Sequence, residues 1–123
     1  MSAENHLILL FHGARLSSAI AEAKDFGSKI SSAFPEKNAA VAFLQFGKPS
    51  LPEALQSAVA GGAKRILVFP MFILNGRHTE IDLAELFHSF RKKQPGIHLT
   101  VLPALVSDPS FAEWVKERIR KHQ

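Results

Sequence analysis

Four short apolar runs punctuate the chain, and each is followed by a stretch whose apolar residues recur at helical spacing. Leu7-Ile8-Leu9-Leu10-Phe11 is continuous and ends at His12-Gly13. A run this short, without polar alternation, predicts a strand buried on both faces. Behind it Ile20, Ala23, Gly27, Ile30 and Phe34 fall near helical spacing until Pro35 stops them. Val41-Ala42-Phe43-Leu44 predicts a second strand. Ser50-Leu51-Pro52-Glu53 reads as a capping box, and Leu51, Ala54, Leu55, Ala58 and Val59 form one helix face that Gly61-Gly62 closes. Arg65 to Phe69 predicts a third strand, and Pro70 to Arg77 an apolar loop broken by Asn75-Gly76. Leu83, Leu86, Phe87 and Phe90 carry the i, i+3, i+4, i+7 stripe of the next helix. After the turn at Pro95-Gly96, His98 to Leu102 predicts a fourth strand. Asp108-Pro109 starts a last helix, whose inner face is expected to be Phe111, Trp114, Val115 and Ile119.

The resulting order is βαβαβαβα. Such alternation with short connections predicts an α/β fold of three layers, flavodoxin-like, with a four-stranded parallel sheet and helices on both faces. The simplest doubly wound strand order is 2-1-3-4, in one domain spanning residues 1–123. In such sheets ligands bind beyond the carboxyl ends of the strands, where the order reverses. That crevice is expected between the first and third strands. His12 follows the first strand, and His78 lies past the third at the start of a helix. Two imidazoles half a chain apart are therefore expected to converge.

Composition narrows the chemistry. The 123 residues hold no cysteine, which excludes disulfides, thiolate metal sites, iron–sulfur clusters and thiol nucleophiles. With 46% hydrophobic residues a packed core is expected rather than disorder. The formal charge of +4 points to an anionic partner. Lys and Arg are dispersed, and Glu117 interrupts the one local cluster, Lys116 to Lys121, which reads as a solvated helix face; a polycarboxylate small molecule fits the mild positive balance as well as nucleic acid does, and no nucleic acid is expected. No glycine-rich nucleotide fingerprint follows any strand, so no nucleotide is expected. No stretch reaches the ~20 apolar residues of a membrane span, and no signal peptide is visible; a cytoplasmic protein with no membrane partner is expected.

Neutral imidazole binds borderline divalent metals and titrates near neutrality, so it can both hold an ion and accept a proton. Two histidines with an open coordination sphere suit an ion that must be released again, whereas a closed four-ligand site would retain it. Asp82 follows His78 by four residues, hence on the same helix flank, and is expected to hydrogen-bond the free ring nitrogen of His78. Glu80 competes as a first-turn acid that complements the helix dipole. His6, His88, His98 and His122 show no such convergence. A phosphohistidine reading of His12-Gly13 would need an arginine directly before the histidine, and Phe11 stands there.

These motifs resemble the small form of the CbiX-type sirohydrochlorin cobaltochelatases, class II chelatases related to sirohydrochlorin ferrochelatase, over nearly the whole chain. Leu10-Phe11-His12-Gly13-Ala14-Arg15 is similar to V-G-H-G-S-R. Ala42-Phe43-Leu44-Gln45 through Lys48-Pro49-Ser50-Leu51-Pro52-Glu53-Ala54-Leu55 is similar to A-F-L-E-x-x-E-P-S-L-P-E-A-L. Gly62-Ala63-Lys64-Arg65-Ile66 and Phe69-Pro70-Met71-Phe72-Ile73-Leu74-Asn75-Gly76-Arg77-His78 are similar to G-A-x-R-I-x-V-x-P-x-F-L-x-x-G-x-H, and Asp82 matches the Asp four residues later. The resemblance implies a lyase that inserts a divalent metal into sirohydrochlorin without ATP, in cobalamin or related tetrapyrrole biosynthesis. Cobalt comes first, with nickel or iron as alternatives. It implies His12 as metal ligand and proton acceptor and His78 as second ligand. Gln45, Arg15 and the segment Ile73, Leu74, Asn75, Gly76 and Arg77 would contact the tetrapyrrole. Phe72 to Leu74 suits either plain core or an apolar wall for the macrocycle. A homodimer is implied because longer relatives carry two such domains.

Four positions depart from the resemblance. Phe11 replaces a glycine and is expected to narrow the site, and Ala14 replaces a serine. Gln45 and Lys48 each replace a glutamate, which removes two acids that would attract a cation; Gln45 can hydrogen-bond but not take a proton. Lys48, Arg15 and Arg77 are expected to favour a carboxylate-bearing substrate. The loss of acids keeps open a second reading, a metal or tetrapyrrole carrier without turnover.

Overall fold

The computed structural model describes residues 4–123. Its elements run β1 (Asn5–Phe11), α1 (Ser17–Ala33), β2 (Asn38–Phe43), α2 (Leu51–Ala60), β3 (Arg65–Pro70), α3 (Arg77–Lys93), β4 (His98–Val101), a 3-10 turn (Leu105–Ser107) and α4 (Pro109–Arg120). The four strands form one parallel sheet in the order β2-β1-β3-β4. This is the 2-1-3-4 arrangement that the alternation of elements predicts. β2 starts earlier than its apolar run suggests, because Asn38, Ala39 and Ala40 continue the ladder opposite His6, Leu7 and Ile8.

Residue parity along the strands assigns each side chain to a face. Ile8 and Leu10 on β1, Ala42 on β2, Ile66 and Val68 on β3 and Leu99 on β4 join Leu51, Ala54, Leu55 and Ala58 of α2 and Leu83 and Phe87 of α3 in one buried cluster. Leu7 and Leu9 face the other way and are also buried. There α1 approaches so closely that a β-carbon on Gly27 would lie 2.3 Å from Val41 Cγ2. The core contains no buried polar or charged residue among those described.

Local signals act as their residue types require. The Ser50 hydroxyl accepts from the Glu53 backbone N–H while the Glu53 carboxylate accepts from the Ser50 N–H, so the capping box is complete. Gly61 caps α2 and Gly62 takes φ 86°. Asp108 Oδ1 accepts from the Ser110 N–H at the start of α4. The expected inner face of α4 is the exception. No residue of this helix is buried, and Trp114 and Ile119 are 59% and 57% exposed. Its apolar stripe follows helical periodicity, but this chain alone covers only part of it, at the half-buried Phe111 and Val115. No helix among the described residues is long and apolar enough to cross a membrane.

Candidate active site

β1 delivers His12 to the carboxyl edge of the sheet, and the pairing persists beyond the strand ends. The Leu44 N–H donates to the Phe11 carbonyl at 3.0 Å and the Gln45 N–H to the His12 carbonyl at 3.1 Å. On the other side the Met71 N–H donates to the Leu10 carbonyl at 2.7 Å. His12 therefore sits between extensions of β2 and β3, with its backbone held from the β2 side. Parity puts it on the face of Ile8 and Leu10, toward α2 and α3. Leu10 pairs with Pro70, so two residues further on His12 stands opposite Phe72. The two rings touch, with centroids 4.4 Å apart and planes inclined at 39°. Phe72 is only 7% exposed and belongs to the core. One wall of the imidazole is thus rigid.

Gly13 makes this close pairing possible. It takes φ 94°, and a β-carbon there would lie 1.7 Å from the Gln45 carbonyl oxygen. Only glycine allows the turn after His12 to pass against the end of β2.

His12 lines a cleft of about 350 Å³ together with Phe43, Leu44, Gln45, Leu51, Pro52, Thr79, Asp82, Leu83 and Leu86. The start of α2 and the first turns of α3 form its flanks. Three expected site residues, His12, Gln45 and Asp82, thus meet. Thr79 joins them unannounced; its position, three residues before Asp82 on α3, was the signal that could have found it. The cleft leans toward β2 and α3 rather than opening between β1 and β3, because Phe72 fills the β3 side of His12.

The other expected residues do not line this cleft. His78 is exposed in the first turn of α3, four residues before Asp82. Among the described residues Asp82 makes no hydrogen bond to His78, and no three His, Asp or Glu side chains gather into a metal-binding group. Ile73 and Leu74 are exposed, whereas Phe72 is core. Asn75 is half-buried, and its Oδ1 is buried without a hydrogen-bond partner. Gly76 precedes α3 as N-cap without a side-chain cap, and Arg77 is the first helical residue. Arg15 lies over the ring of Phe46, with Cζ 4.2 Å from its centroid.

Two departures acquire a structural meaning. Phe11 does not narrow the cleft. It is one residue out of phase with His12 and packs on the opposite face, 6.4 Å from Phe26 and 6.1 Å from Phe43 between ring centroids. Lys48 is not an isolated cation, since its Nζ lies 3.9 Å from Glu53 Oε2. The Glu53 carboxyl is held below the ordinary carboxylate value by hydrogen bonds from the Ser50 backbone and side chain and then by the Lys48 charge.

Sheet order and cleft together define a doubly wound α/β domain with a histidine at the carboxyl edge of its central strand. The chain belongs to the CbiX family, whose family model matches residues 6–122. It is 29% identical over 123 residues to the sirohydrochlorin cobaltochelatase of Saccharolobus solfataricus, covering 94% of this chain and 93% of that protein. It is 33% identical over 84 residues to the sirohydrochlorin cobaltochelatase of Methanocaldococcus jannaschii, covering 65% of this chain and 56% of the relative. The chain thus spans little more than half the length of several curated relatives it matches. Among solved structures, a CbiX protein from Marinobacter aquaeolei VT8 shares the fold at a TM-score of 0.73 with 21% identity, covering 96% of both chains. The sirohydrochlorin chelatase SirB from Bacillus subtilis subspecies spizizenii, in complex with cobalt, gives a TM-score of 0.78 with 22% identity, covering 96% of this chain and 50% of that one.

Proposed function

We propose that this chain is a class II chelatase that inserts a divalent metal, cobalt first, into sirohydrochlorin without ATP. The observation that carries the reading is His12. It lines a cleft with Gln45 and Asp82 at the carboxyl edge of the sheet, in a family whose curated relatives are named sirohydrochlorin cobaltochelatases.

The chemistry asks for a small number of ligands and a base. The ring loses two pyrrole protons as the ion enters. His12 and His78, the latter in the first turn of α3 next to the cleft-lining Thr79, hold the incoming ion, and as it passes into the ring each freed imidazole accepts one of the two pyrrole protons. Few imidazole ligands release the ion more readily than a closed site would. Asp82, on the cleft wall and on the helix that carries His78, adds negative charge near the metal path. Nickel and iron suit the same donors, since imidazole does not select among these ions by affinity alone.

A cleft of about 350 Å³ lies at the small end of ligand pockets. A flat macrocycle would therefore rest across its mouth, against the exposed Ile73 and Leu74 and beside Asn75, Gly76 and Arg77. A second copy of the chain would complete the protein. Two observations support a homodimer: solved relatives about twice as long, and the uncovered Trp114 and Ile119 of α4.

A carrier without turnover is the second reading, favoured by Gln45 standing in the cleft where the motif that this segment resembles has a glutamate. A metal-by-substrate insertion assay followed by absorbance separates the two, with His12→Ala and His78→Ala as controls. Catalytic turnover lost in both variants, with the fold intact, is expected. Unchanged activity in either variant removes that residue from the mechanism. Stoichiometric binding without acceleration establishes the carrier instead.

A further inference from the structure

We propose that Phe46 is a positioning residue, which holds the guanidinium of Arg15, on the loop that follows His12, to meet a carboxylate of the incoming ring. The inference rests on the tetrapyrrole reading above and deepens it.

Phe46 occupies a backbone conformation that its side chain disfavours. Its φ is 57°, in the left-handed region, and it is the only residue other than glycine with positive φ among those described. For a bulky side chain this conformation is costly, and glycine would take it freely. Burial does not compensate, because Phe46 is 48% exposed. What the ring does contact is Arg15, whose Cζ stands 4.2 Å above its centroid, within cation–π range.

Among the described residues Arg15 has no carboxylate partner. The ion pairs among the described residues use Lys48, Lys64, Arg65, Lys116 and Arg120. Its N–H donors therefore remain available for an anion, and a guanidinium matches a carboxylate with two parallel hydrogen bonds. The location suits that role. The hydrogen bond from the Gln45 N–H to the His12 carbonyl ties the two loops together. Phe46 follows Gln45 directly, and Arg15 is three residues past His12. A strained aromatic thus holds an unpaired cation on the same edge of the sheet as the proposed metal ligand.

The test uses the full chain, with sirohydrochlorin and Co²⁺ varied separately in the insertion assay. Phe46→Leu is expected to raise the KM for the tetrapyrrole about two- to five-fold, the range of an exposed cation–π contact, and to leave the KM for the metal unchanged. Phe46→Trp, which keeps an aromatic face, is expected to restore the wild-type KM. Phe46→Gly relieves the backbone, so its melting temperature should rise while its KM for the ring worsens; a merely structural role would not give that opposition. In an Arg15→Ala background Phe46→Leu should add nothing. A wild-type KM in both Phe46→Leu and Phe46→Gly, or a Phe46→Leu effect that persists without Arg15, overturns the proposal alone. A wild-type chain that neither binds nor metallates the ring, judged by absorbance, overturns the tetrapyrrole reading and this inference with it.

Discussion

The imidazole of His12 lies against the ring of Phe72, at 4.4 Å between centroids. The contact joins the proposed proton acceptor to the hydrophobic core, because Phe72 packs in the same cluster as Ile8, Leu10 and Val68. Orientation of a reacting group is worth large factors in rate, and a misplacement of ~1 Å can cost ~100-fold.

Phe72→Leu should therefore slow metal insertion by about ten-fold or more, while a helical circular dichroism spectrum reports an intact fold. The accompanying loss of stability should be ~1–2 kcal/mol, well short of the ~3–5 kcal/mol expected for truncation to alanine. An insertion rate equal to wild type would show that the contact does not orient His12.

Gly13→Ala should be among the most damaging single-methyl changes in the chain. Its β-carbon would collide with the Gln45 carbonyl, and the positive φ adds strain. A loss of at least ~3 kcal/mol is expected in chemical denaturation, with metal insertion abolished in any folded fraction. A variant of wild-type stability would contradict the close pairing of the two loops.

The capping box of α2 supplies a pH signature. The folded Glu53 carboxyl is held below its ordinary value, by Ser50 first and Lys48 second. Its contribution is complete above the unfolded-chain value of ~4.3 and is lost as pH falls through the lower folded value. The melting-temperature gap between wild type and Glu53→Gln should thus be open at neutral pH and closed in strong acid. Ser50→Ala should cost ~1 kcal/mol in urea unfolding at neutral pH.

If α4 is covered by a second copy, the pair Trp114→Glu and Ile119→Glu should convert a dimer to a monomer in sedimentation equilibrium. Both side chains are more than half exposed in the single chain, so the substitutions should leave its thermal stability as a monomer nearly unchanged. A wild-type chain that sediments as a monomer at high concentration would remove the homodimer from the proposal.

Much of this architecture is legible residue by residue. The run Leu7–Phe11, the capping box at Ser50, the glycine pair after Ala60 and the Asp108-Pro109 start each act through neighbours a few positions away, and all behave as their chemistry predicts. The position of His12 is equally legible, since the end of a buried parallel strand is where such sheets bind ligands. Less was visible around it. Phe11 reads as a neighbour that crowds His12, yet the pleat turns it to the opposite face, onto Phe26 and Phe43. Lys48 reads as a cation for the substrate, and its 3.9 Å approach to Glu53 was not visible in the sequence. Thr79 and Phe46 carry no motif at all.

From its order of residues alone, the chain determined four strands, four helices, their alternation and hence a doubly wound sheet, because hydrophobic periodicity and capping are short-range properties. Tertiary structure decided which side chains share the cleft. That depends on register between strands, on which face each parity presents, and on where α3 comes to rest. Those relations link residues 30 to 70 positions apart, as in His12 with Gln45 and Asp82, and no local pattern encodes them. It also decided that Trp114 and Ile119 of the α4 stripe stay uncovered in the single chain, since periodicity marks a face to be buried without saying which surface buries it.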